Sequence, residues 1–447
     1  MRKKIANWGN YPAIESNEYV FPSTKRLREA IIDNDTPCIP RGNGRCYGDA
    51  SLFEATISSL SYDNVLSFDT DNGIFECQSG LTLDQILDII VPKGWFLPVT
   101  PGTKYITIGG AVASDVHGKN HHVEGSFCDH VIELELMLAS GEITICSPNN
   151  NEELFEATRG GMGLTGVILQ VKFALKRITT SFINQTQVKA ANLQELLELF
   201  HEYKNSTYTM SWIDCLKGGK GFGRSILMTG EHAELNELSV KQRQNPLKPH
   251  SSTLLKFPFN LPSFVLNQYS VKAFNFLYYS KSIKKLTRNV VPYDPFFYPL
   301  DKILEWNRGY GKNGFLQYQF VLPMESSQVG MTDILTRINK RRMGSFLAVF
   351  KVFGKQNGLI SFPMEGCTLA LDFPIQERLF PFLDELDRIV LNYGGRLYLT
   401  KDARMKPEIF SSAYPGAERF KHLIQKYNPN YKFRSNQSDR LQITFGN

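Results

Sequence analysis

The sequence predicts an α+β protein built from two blocks. Strand-like alternation and helix-like spacing both recur along its 447 residues, one mixture of elements closes near Arg177 and a second follows, and 42% hydrophobic with 21% charged residues is the composition of a folded globule. At roughly 150 residues per domain, the length fits two large domains or three smaller ones. The same composition argues against disorder, a collagen or a coiled coil.

In the first block, residues 73–79 alternate as a strand does, and Leu81 to Ile90 carries helical spacing. His130 to Ile145 reads as a hairpin closed by Ala139-Ser140-Gly141-Glu142. Asn150 and Asn151 precede Glu152-Glu153-Leu154-Phe155, which predicts a short capped helix. Gly166 to Leu175 is a further strand. In the second block, Leu193 to Tyr203 is an amphipathic helix, and Thr207–Leu216 and Arg224–Met228 read as strands. A basic, proline-bearing stretch, 245–299, interrupts the pattern. Strands resume at Phe315–Leu322, Phe346–Phe353 and Thr368–Phe373, with helices near 326–342 and 378–393. After Leu397–Thr400, helical segments at 407–413 and 416–427 close the chain. The pairing order of the strands does not follow from the pattern.

No apolar run reaches the roughly 18 residues a membrane span needs. The most apolar stretch, Leu254 to Tyr279, is broken by Pro258, Asn260, Pro262, Asn267 and Lys272. The basic start lacks the apolar segment of a secretory leader. Seven cysteines, an odd number without a Cys-x-x-Cys, fit reduced thiols in a cytoplasmic setting.

The net charge of +6 is unevenly spread. Between Glu237 and Asp294 there is no acidic residue, yet nine cations (Lys241, Arg243, Lys248, Lys256, Lys272, Lys281, Lys284, Lys285 and Arg288) sit among Phe, Tyr and Leu. Such a stretch suits an anionic, partly apolar partner such as a phospholipid surface or a lipid phosphate. Nucleic acid competes, because bases stack on aromatics beside phosphate-binding lysines. The plain alternative is a solvated basic loop.

Three glycine-rich segments lie in the first block: Arg41-Gly42-Asn43-Gly44-Arg45-Cys46-Tyr47-Gly48-Asp49; Pro101-Gly102-Thr103 with Thr107-Ile108-Gly109-Gly110-Ala111; and Gly160 to Gly166. Glycines at this density let backbone N–H groups turn toward one object and approach it closely, as a pyrophosphate requires. No Gly-Lys-Ser/Thr is present, which disfavours an ATPase, and Gly42, Gly44 and Gly48 are spaced one residue too far for the Rossmann fingerprint. Each segment alone is an ordinary turn; three together are harder to dismiss. The run Asp115 to His122 holds three of the eight histidines. His117 and His121 have zinc-ligand spacing on a helix, but Gly118 and Asn120 disfavour a helix and no further ligand pair completes a site. A loop presenting a histidine and a lysine to a ligand is the better reading, and no metal is expected.

These segments resemble the flavin domain of the vanillyl-alcohol-oxidase superfamily. With Phe315–Phe320 (FLQYQF), Val349–Gly354 (VFKVFG), Leu371–Pro374 (LDFP) and Gly394–Asp402 (GGRLYLTKD), the chain is similar over most of its length to the decaprenylphosphoryl-β-D-ribose 2′-oxidase family. The resemblance implies a two-domain PCMH-type fold: an FAD-binding domain over 1–178, a substrate domain over 179–395 built on an antiparallel sheet flanked by helices, and a return to the first domain over 396–447. The basic segment 240–300 would be mobile and touch the membrane peripherally.

It also implies roles. Arg41, Gly42, Asn43, Gly44, Arg45, Cys46, Tyr47, Gly48 and Asp49 would hold the FAD pyrophosphate, with Gly102, Thr103, Thr107, Ile108, Gly109 and Gly110 along the same groove. Ser114, His117, Gly118, Asn120 and Ile168 would approach the ribityl chain or isoalloxazine, and Tyr398 would lie against it. Lys401, His117, Gln317, Gln319, Lys351, Tyr47 and Lys119 would surround a polyprenyl-phospho-ribose. Relatives that tether FAD do so through a histidine in the first glycine segment; Arg45 stands there, so the flavin is expected to be non-covalent. The implied reaction is oxidation of the 2′-hydroxyl to a keto sugar for a nicotinamide-dependent short-chain reductase, with no nucleic acid involved. The same chemistry on a soluble sugar, alditol or aldonolactone is the alternative. The cysteine that nitroaromatic inhibitors attack in the family falls on Ala370, and Cys367, at an odd offset along a strand, points the other way.

Alcohol oxidation removes a hydroxyl proton as well as a hydride, so a basic group must stand near the hydroxyl. Lys401 serves if burial or a neighbouring cation lowers its pKa. His117 is the other candidate, with an ordinary pKa already in range. For Lys401, an ion pair with Asp402 or Asp372 is the structural reading. Gln317 and Gln319 alternate with Tyr318 and so face one side, where two amides need polar partners.

Overall fold

Val167, Leu169, Val171 and Phe173 are all buried, and a strand with such a face needs a covered sheet to lie in. In the computed structural model, which describes residues 2–250, 255–262, 264–345 and 347–444, three main sheets meet that need. The first contains β1 (Arg2–Ala6), β2 (Ala13–Val20), β3 (Ile39–Arg41) and β4 (Ala55–Ser58), in the order β1-β2-β4-β3. Next along the chain come β5 (Val65–Asp69), β6 (Ile74–Gln78), β7 (Trp95–Phe96), β8 (Val131–Met137), β9 (Ile143–Cys146), β10 (Val167–Ala174) and β11 (Lys176–Arg177). Five of these form an antiparallel sheet, β5-β6-β10-β8-β9, while β7 and β11 pair with each other.

The second block supplies β12 (Phe182–Ala190), β13 (Tyr208–Ile213), β14 (Ser225–His232), β15 (Leu255–Lys256), β16 (Leu286–Pro292), β17 (Ile303–Leu304), β18 (Phe315–Pro323), β19 (Ala348–Phe353), β20 (Gly366–Pro374) and β21 (Arg396–Leu397). Eight of them make one antiparallel sheet in the order β16-β12-β14-β13-β19-β20-β18-β21; β15 and β17 form a separate parallel pair. Helices Leu193–Glu202, Met324–Arg341 and Leu379–Asn392 cover one face of this sheet, and their buried Leu196, Phe200, Ile334, Leu335, Phe382 and Leu386 share a core with Phe320, Phe350 and Leu369. The opposite face, with Gln317, Gln319, Lys351 and Ala370, looks into the space bounded by the glycine-rich segments.

Three local readings need correction. The basic stretch does not simply interrupt the sheet: it carries a helix, Gln268–Lys281, and then β16, which pairs with β12 at the sheet edge. An edge strand exposed on much of its length has little apolar alternation, so Leu286 to Pro292 gave no strand signal. Asn151 does precede the helix Glu152–Thr158, but in a left-handed conformation, and its side chain donates to the Ile145 carbonyl (2.8 Å) instead of capping. Of Leu397–Thr400 only Leu397 is strand, as the end of the two-residue β21 (Arg396–Leu397), and a 3-10 turn, Leu399–Lys401, follows. Phe346, expected to start a strand, lies outside the described residues, as do 251–254 and 263 of the basic stretch.

The C-terminal stretch ties the blocks together. After β21, Arg440 reaches both Asp49 (2.7 Å) and Asp402 (2.9 Å), and Phe433 bridges to Cys38. All seven cysteines are free thiols. Among the described residues no helix is long and apolar enough to cross a membrane.

Candidate active site

A cavity of about 730 Å³ lies between the glycine-rich segments and the open face of the eight-stranded sheet. From the first block it is lined by Arg41, Gly42, Asn43, Gly44, Arg45, Cys46 and Tyr47, then Gly102, Thr103, Thr107, Gly109 and Gly110, then Ser114, His117, Gly118, Lys119 and Ile168. The second block adds Gln317, Gln319, Lys351, Tyr398 and Lys401.

Four expected cofactor residues do not line this cavity. Gly48 backs onto the C-terminal segment, where a Cβ would stand 1.6 Å from the Asp402 carbonyl oxygen. Asp49 accepts from Arg440 (2.7 and 3.1 Å). Ile108 points into the core with Leu83 and Leu87. Asn120 is buried and donates to the Pro98 carbonyl (2.7 Å), so it braces the loop.

The glycine segments dock on each other because they lack side chains. A Cβ on Gly42 would lie 2.2 Å from Thr107 Oγ1, and Thr107 itself caps the helix Ile108–Ala113 through Gly110 N (3.2 Å). Gly44, at φ +60°, takes the left-handed conformation that lets its backbone turn beside the Arg41 guanidinium. Arg41 is fixed by Asn7, Ser51 and the Ala6 carbonyl. The Arg45 guanidinium lies 4.1 Å from the Trp8 ring centre.

On the sheet side, Gln319 Nε2 lies 3.3 Å from His117 Nε2. With the amide donating, His117 is neutral with its proton on Nδ1, which has no partner and is buried. The imidazole packs among Phe353, Tyr398 and Phe362, and burial, followed by the field of Lys351, holds its pKa well below the ordinary value. An ordinary histidine pKa, as assumed from sequence, does not survive that apolar surround. Tyr398 stacks on Phe362 at 4.5 Å and donates to the Ser114 carbonyl (3.3 Å).

Lys401 is not ion-paired on a strand. It stands on the 3-10 turn with Nζ 3.8 Å from the Tyr47 ring centre, and burial lowers it to about 8 against the upward pull of Asp372. Asp402 pairs with Arg440, while Asp372 accepts from Gln317 (2.6 Å) and Tyr310 (3.1 Å); burial raises its carboxyl to about 7. Burial also lowers Lys351 and Lys119 to about 7. Lys119 lines the cavity but donates to the Phe296 carbonyl and lies 4.3 Å from its ring centre. Among the described residues, none of Lys119, Lys351 and Lys401 has a carboxylate within ion-pair distance, although Asp372 and Asp301 also line the cavity.

The sequence pattern missed a buried network that sets the histidine loop. Asp115, at φ 38° and fully buried, accepts from Ser126 (2.5 Å), Ser361 (2.5 Å) and Arg159 (2.9 Å). Ser361 comes from the second block, so this carboxylate ties the His117 loop to that block. Trp8 was missed too, being distant in sequence from Arg45, whose guanidinium packs on it; Asp372, anticipated only as an ion-pair partner of Lys401, instead accepts from Gln317 and from Tyr310, which the pattern did not single out.

The residues fit a flavin dinucleotide. Two glycine segments pressed together, with nothing within 4 Å of where a Cβ of Gly102 would lie, leave backbone open to a diphosphate. Ser79 Oγ and His117 Nδ1, both on cavity-lining residues, are buried without partners and await a polar ligand.

Residues 25–147 match a family described as an FAD binding domain. The chain is 37% identical to the decaprenylphosphoryl-β-D-ribose oxidase of Mycolicibacterium smegmatis, over 99% of this chain and 98% of that protein. It is 30% identical to an uncharacterized protein of Streptomyces coelicolor over 81% of this chain and all of the relative. A mitochondrial D-2-hydroxyglutarate dehydrogenase of Danio rerio matches at 30% over 39% of this chain and 34% of its own length. Near-complete mutual coverage, and an FAD-binding match over the segment that carries two of the glycine loops, identify the chain as an FAD-dependent oxidoreductase that belongs to the decaprenylphosphoryl-β-D-ribose oxidase family.

Proposed function

We propose that this chain oxidises the 2′-hydroxyl of a polyprenyl-phospho-β-D-ribose to the 2′-keto sugar, the first half of an epimerisation to the D-arabinose donor. A separate nicotinamide-dependent short-chain reductase would complete it. The observation that carries this reading is the cluster of unpaired cations, Lys351 and Lys401 with Lys119 behind them, beside the amides of Gln317 and Gln319. Buried ammonium groups without counter-ions are costly and call for an anionic ligand. A neutral sugar or aldonolactone gives no reason for them; a sugar phosphate does.

FAD, when bound, supplies the two-electron acceptor for the hydride. The glycine segments 41–47 and 102–110 would hold it. Arg45, packed on Trp8, offers no nucleophilic ring nitrogen, so the attachment is non-covalent and acid precipitation should leave all the flavin in the supernatant. Gln317 and Gln319 orient the sugar, and Lys351 meets the phosphate. Lys401, lowered to about 8, is neutral in a useful fraction near physiological pH and accepts the hydroxyl proton. His117 keeps its proton on Nδ1 and donates a hydrogen bond.

Outside the cavity, Phe264, Tyr269, Phe276, Leu277 and Ile283 are 58–93% exposed next to Lys272, Lys281 and Lys284. Apolar tips flanked by cations suit the interface of an anionic membrane, where the lipid-linked substrate resides. The cation excess is smaller than the sequence suggests, since Lys256 pairs with Glu305 (3.2 Å) and Lys285 with Glu195 (2.9 Å).

The direct test is an anaerobic absorbance spectrum before and after adding a short-chain polyprenyl-phospho-ribose. Bleaching of the flavin bands by this compound, and not by ribose or an aldonolactone, is expected. Bleaching only by a soluble sugar would overturn the substrate assignment.

A further inference from the structure

The cavity does not end at the sugar-binding amides. Its floor runs across six neighbouring strands of the eight-stranded sheet, β18-β20-β19-β13-β14-β12. Strand register places the lining side chains in rows. Gln319 stands opposite Ala370, Ala370 opposite Val349, and Val349 opposite Trp212. Met210 stands opposite Met228, and Met228 opposite Gln187. Five inter-strand steps carry this floor roughly 24 Å from β18 to β12.

Chemistry changes along the floor. The β18 end is polar and charged, with Gln317, Gln319, Asp372 and Lys351. From Val349 outward, Trp212, Met210 and Met228 make it apolar as far as β14, and Gln185 and Gln187 of β12 form a polar far edge. The roof changes with it: over the apolar half stand Phe274 and Tyr278 of the helix Gln268–Lys281, with Tyr278 packed 4.8 Å from Trp212. That helix is pinned by a buried hydrogen bond from Asn275 to Asp214 (2.8 Å), and Asp214 is itself paired with Arg224 (2.8 Å). Phe274 lines the cavity and is also 41% exposed, so the apolar half reaches the surface beside Phe276 and Leu277.

We infer that this apolar trough is the site of the substrate's prenyl chain, running from Lys351 past Val349, Trp212, Met210 and Met228 and leaving under Phe274 toward the exposed face of the helix. The inference rests on the proposed substrate and deepens it. A lipid-linked sugar phosphate has its polar and hydrocarbon parts in the same sequence as the floor. Methionines suit a flexible, branched hydrocarbon because their side chains adapt to irregular shapes. The helix Gln268–Lys281 then has two apolar sides with two tasks: Phe274 and Tyr278 roof the chain, while Tyr269, Phe276 and Leu277 face the membrane from which it comes.

The test combines binding and turnover in the flavin-loaded protein. Farnesyl phosphate, which has the lipid and phosphate but no sugar to oxidise, should quench a tryptophan signal that is lost in Trp212→Phe. The double variant Met210→Gln/Met228→Gln keeps side-chain length but makes the trough polar, and Met228→Trp fills it. Both should lower kcat/KM on a long-chain prenyl-phospho-ribose at least tenfold, chiefly through KM, and on a truncated-lipid analogue less than threefold. Flavin content and near-ultraviolet circular dichroism certify folding; any variant failing them is replaced by Met228→Phe, which narrows the trough while keeping it apolar and should again lower kcat/KM on the long-chain substrate more than on the truncated one. Equal losses on long and truncated substrates, or quenching that persists in Trp212→Phe, would overturn the assignment. Failure of the underlying substrate reading looks different: no prenyl-phospho-ribose of any length would bleach the flavin, whereas farnesyl phosphate would still quench Trp212.

Discussion

Replacing Lys401 with methionine preserves most of its stem and removes the amine. Burial lowers this lysine from 10.5 to about 8, equivalent to roughly 3 kcal/mol against the charged form. At a pKa of 8 the neutral amine rises about tenfold in population between pH 7 and pH 9. If the amine accepts the hydroxyl proton, the rate of anaerobic flavin bleaching at saturating substrate must rise with pH along that limb. The bound phosphate favours the ammonium form, so the limb lies at or above the free-enzyme value. Lys401→Met should remove the limb and slow bleaching by about 10²–10⁴-fold, the usual worth of a positioned base. The same substitution gives a second reading in substrate-free protein. The unfolded chain holds more protons than the native one between pH 8 and 10.5, so stability rises with pH across that window and the charge is a burden below it. Lys401→Met should therefore raise Tm at pH 7 and change it little at pH 10. An unchanged limb in the variant, or a wild-type limb below pH 6, would refute Lys401 and leave His117 as the base.

Other consequences follow from the same geometry. Asp372→Asn removes the carboxylate that pulls Lys401 upward, so the ascending limb should move to lower pH, read from the same bleaching profile. Ala370→Cys puts a thiol in the cavity, and peptide mapping after alkylation should find it modified; Cys367, buried on the other side of β20 and raised to about 11, should stay unmodified. Arg159→Met leaves Asp115 buried without its guanidinium, which costs about 3–5 kcal/mol, and should lower Tm and loosen flavin retention together. Lys272→Glu/Lys281→Glu/Lys284→Glu should weaken co-sedimentation with anionic vesicles but not with neutral ones, and added salt should weaken the wild type in the same way.

The glycine segments, the histidine loop and the Gln317/Gln319 alternation were legible in the sequence because each is local: a turn without side chains, a cluster within eight residues, a period of two along one strand. Most elements could be read for the same reason, since buried faces impose their period on the residues that form them. What the sequence could not supply was position relative to residues far along the chain. Lys401 reads as a surface cation until the fold buries it against Tyr47, within the field of Asp372 but not in ion-pair contact with it. His117 reads as an ordinary histidine until Phe353, Phe362 and Tyr398 close around it. β16 was invisible because an exposed edge strand needs no apolar face. Ile108, Gly48, Asp49 and Asn120 sit inside motifs whose neighbours line the cavity, yet turn to the core, the C-terminal segment or the Pro98 carbonyl. The trough across six strands depends wholly on their order in the sheet, which no local pattern encodes. Local chemistry was thus fixed by neighbouring residues, whereas burial, charge imbalance and the extent of the cavity were decided by contacts that only tertiary packing creates.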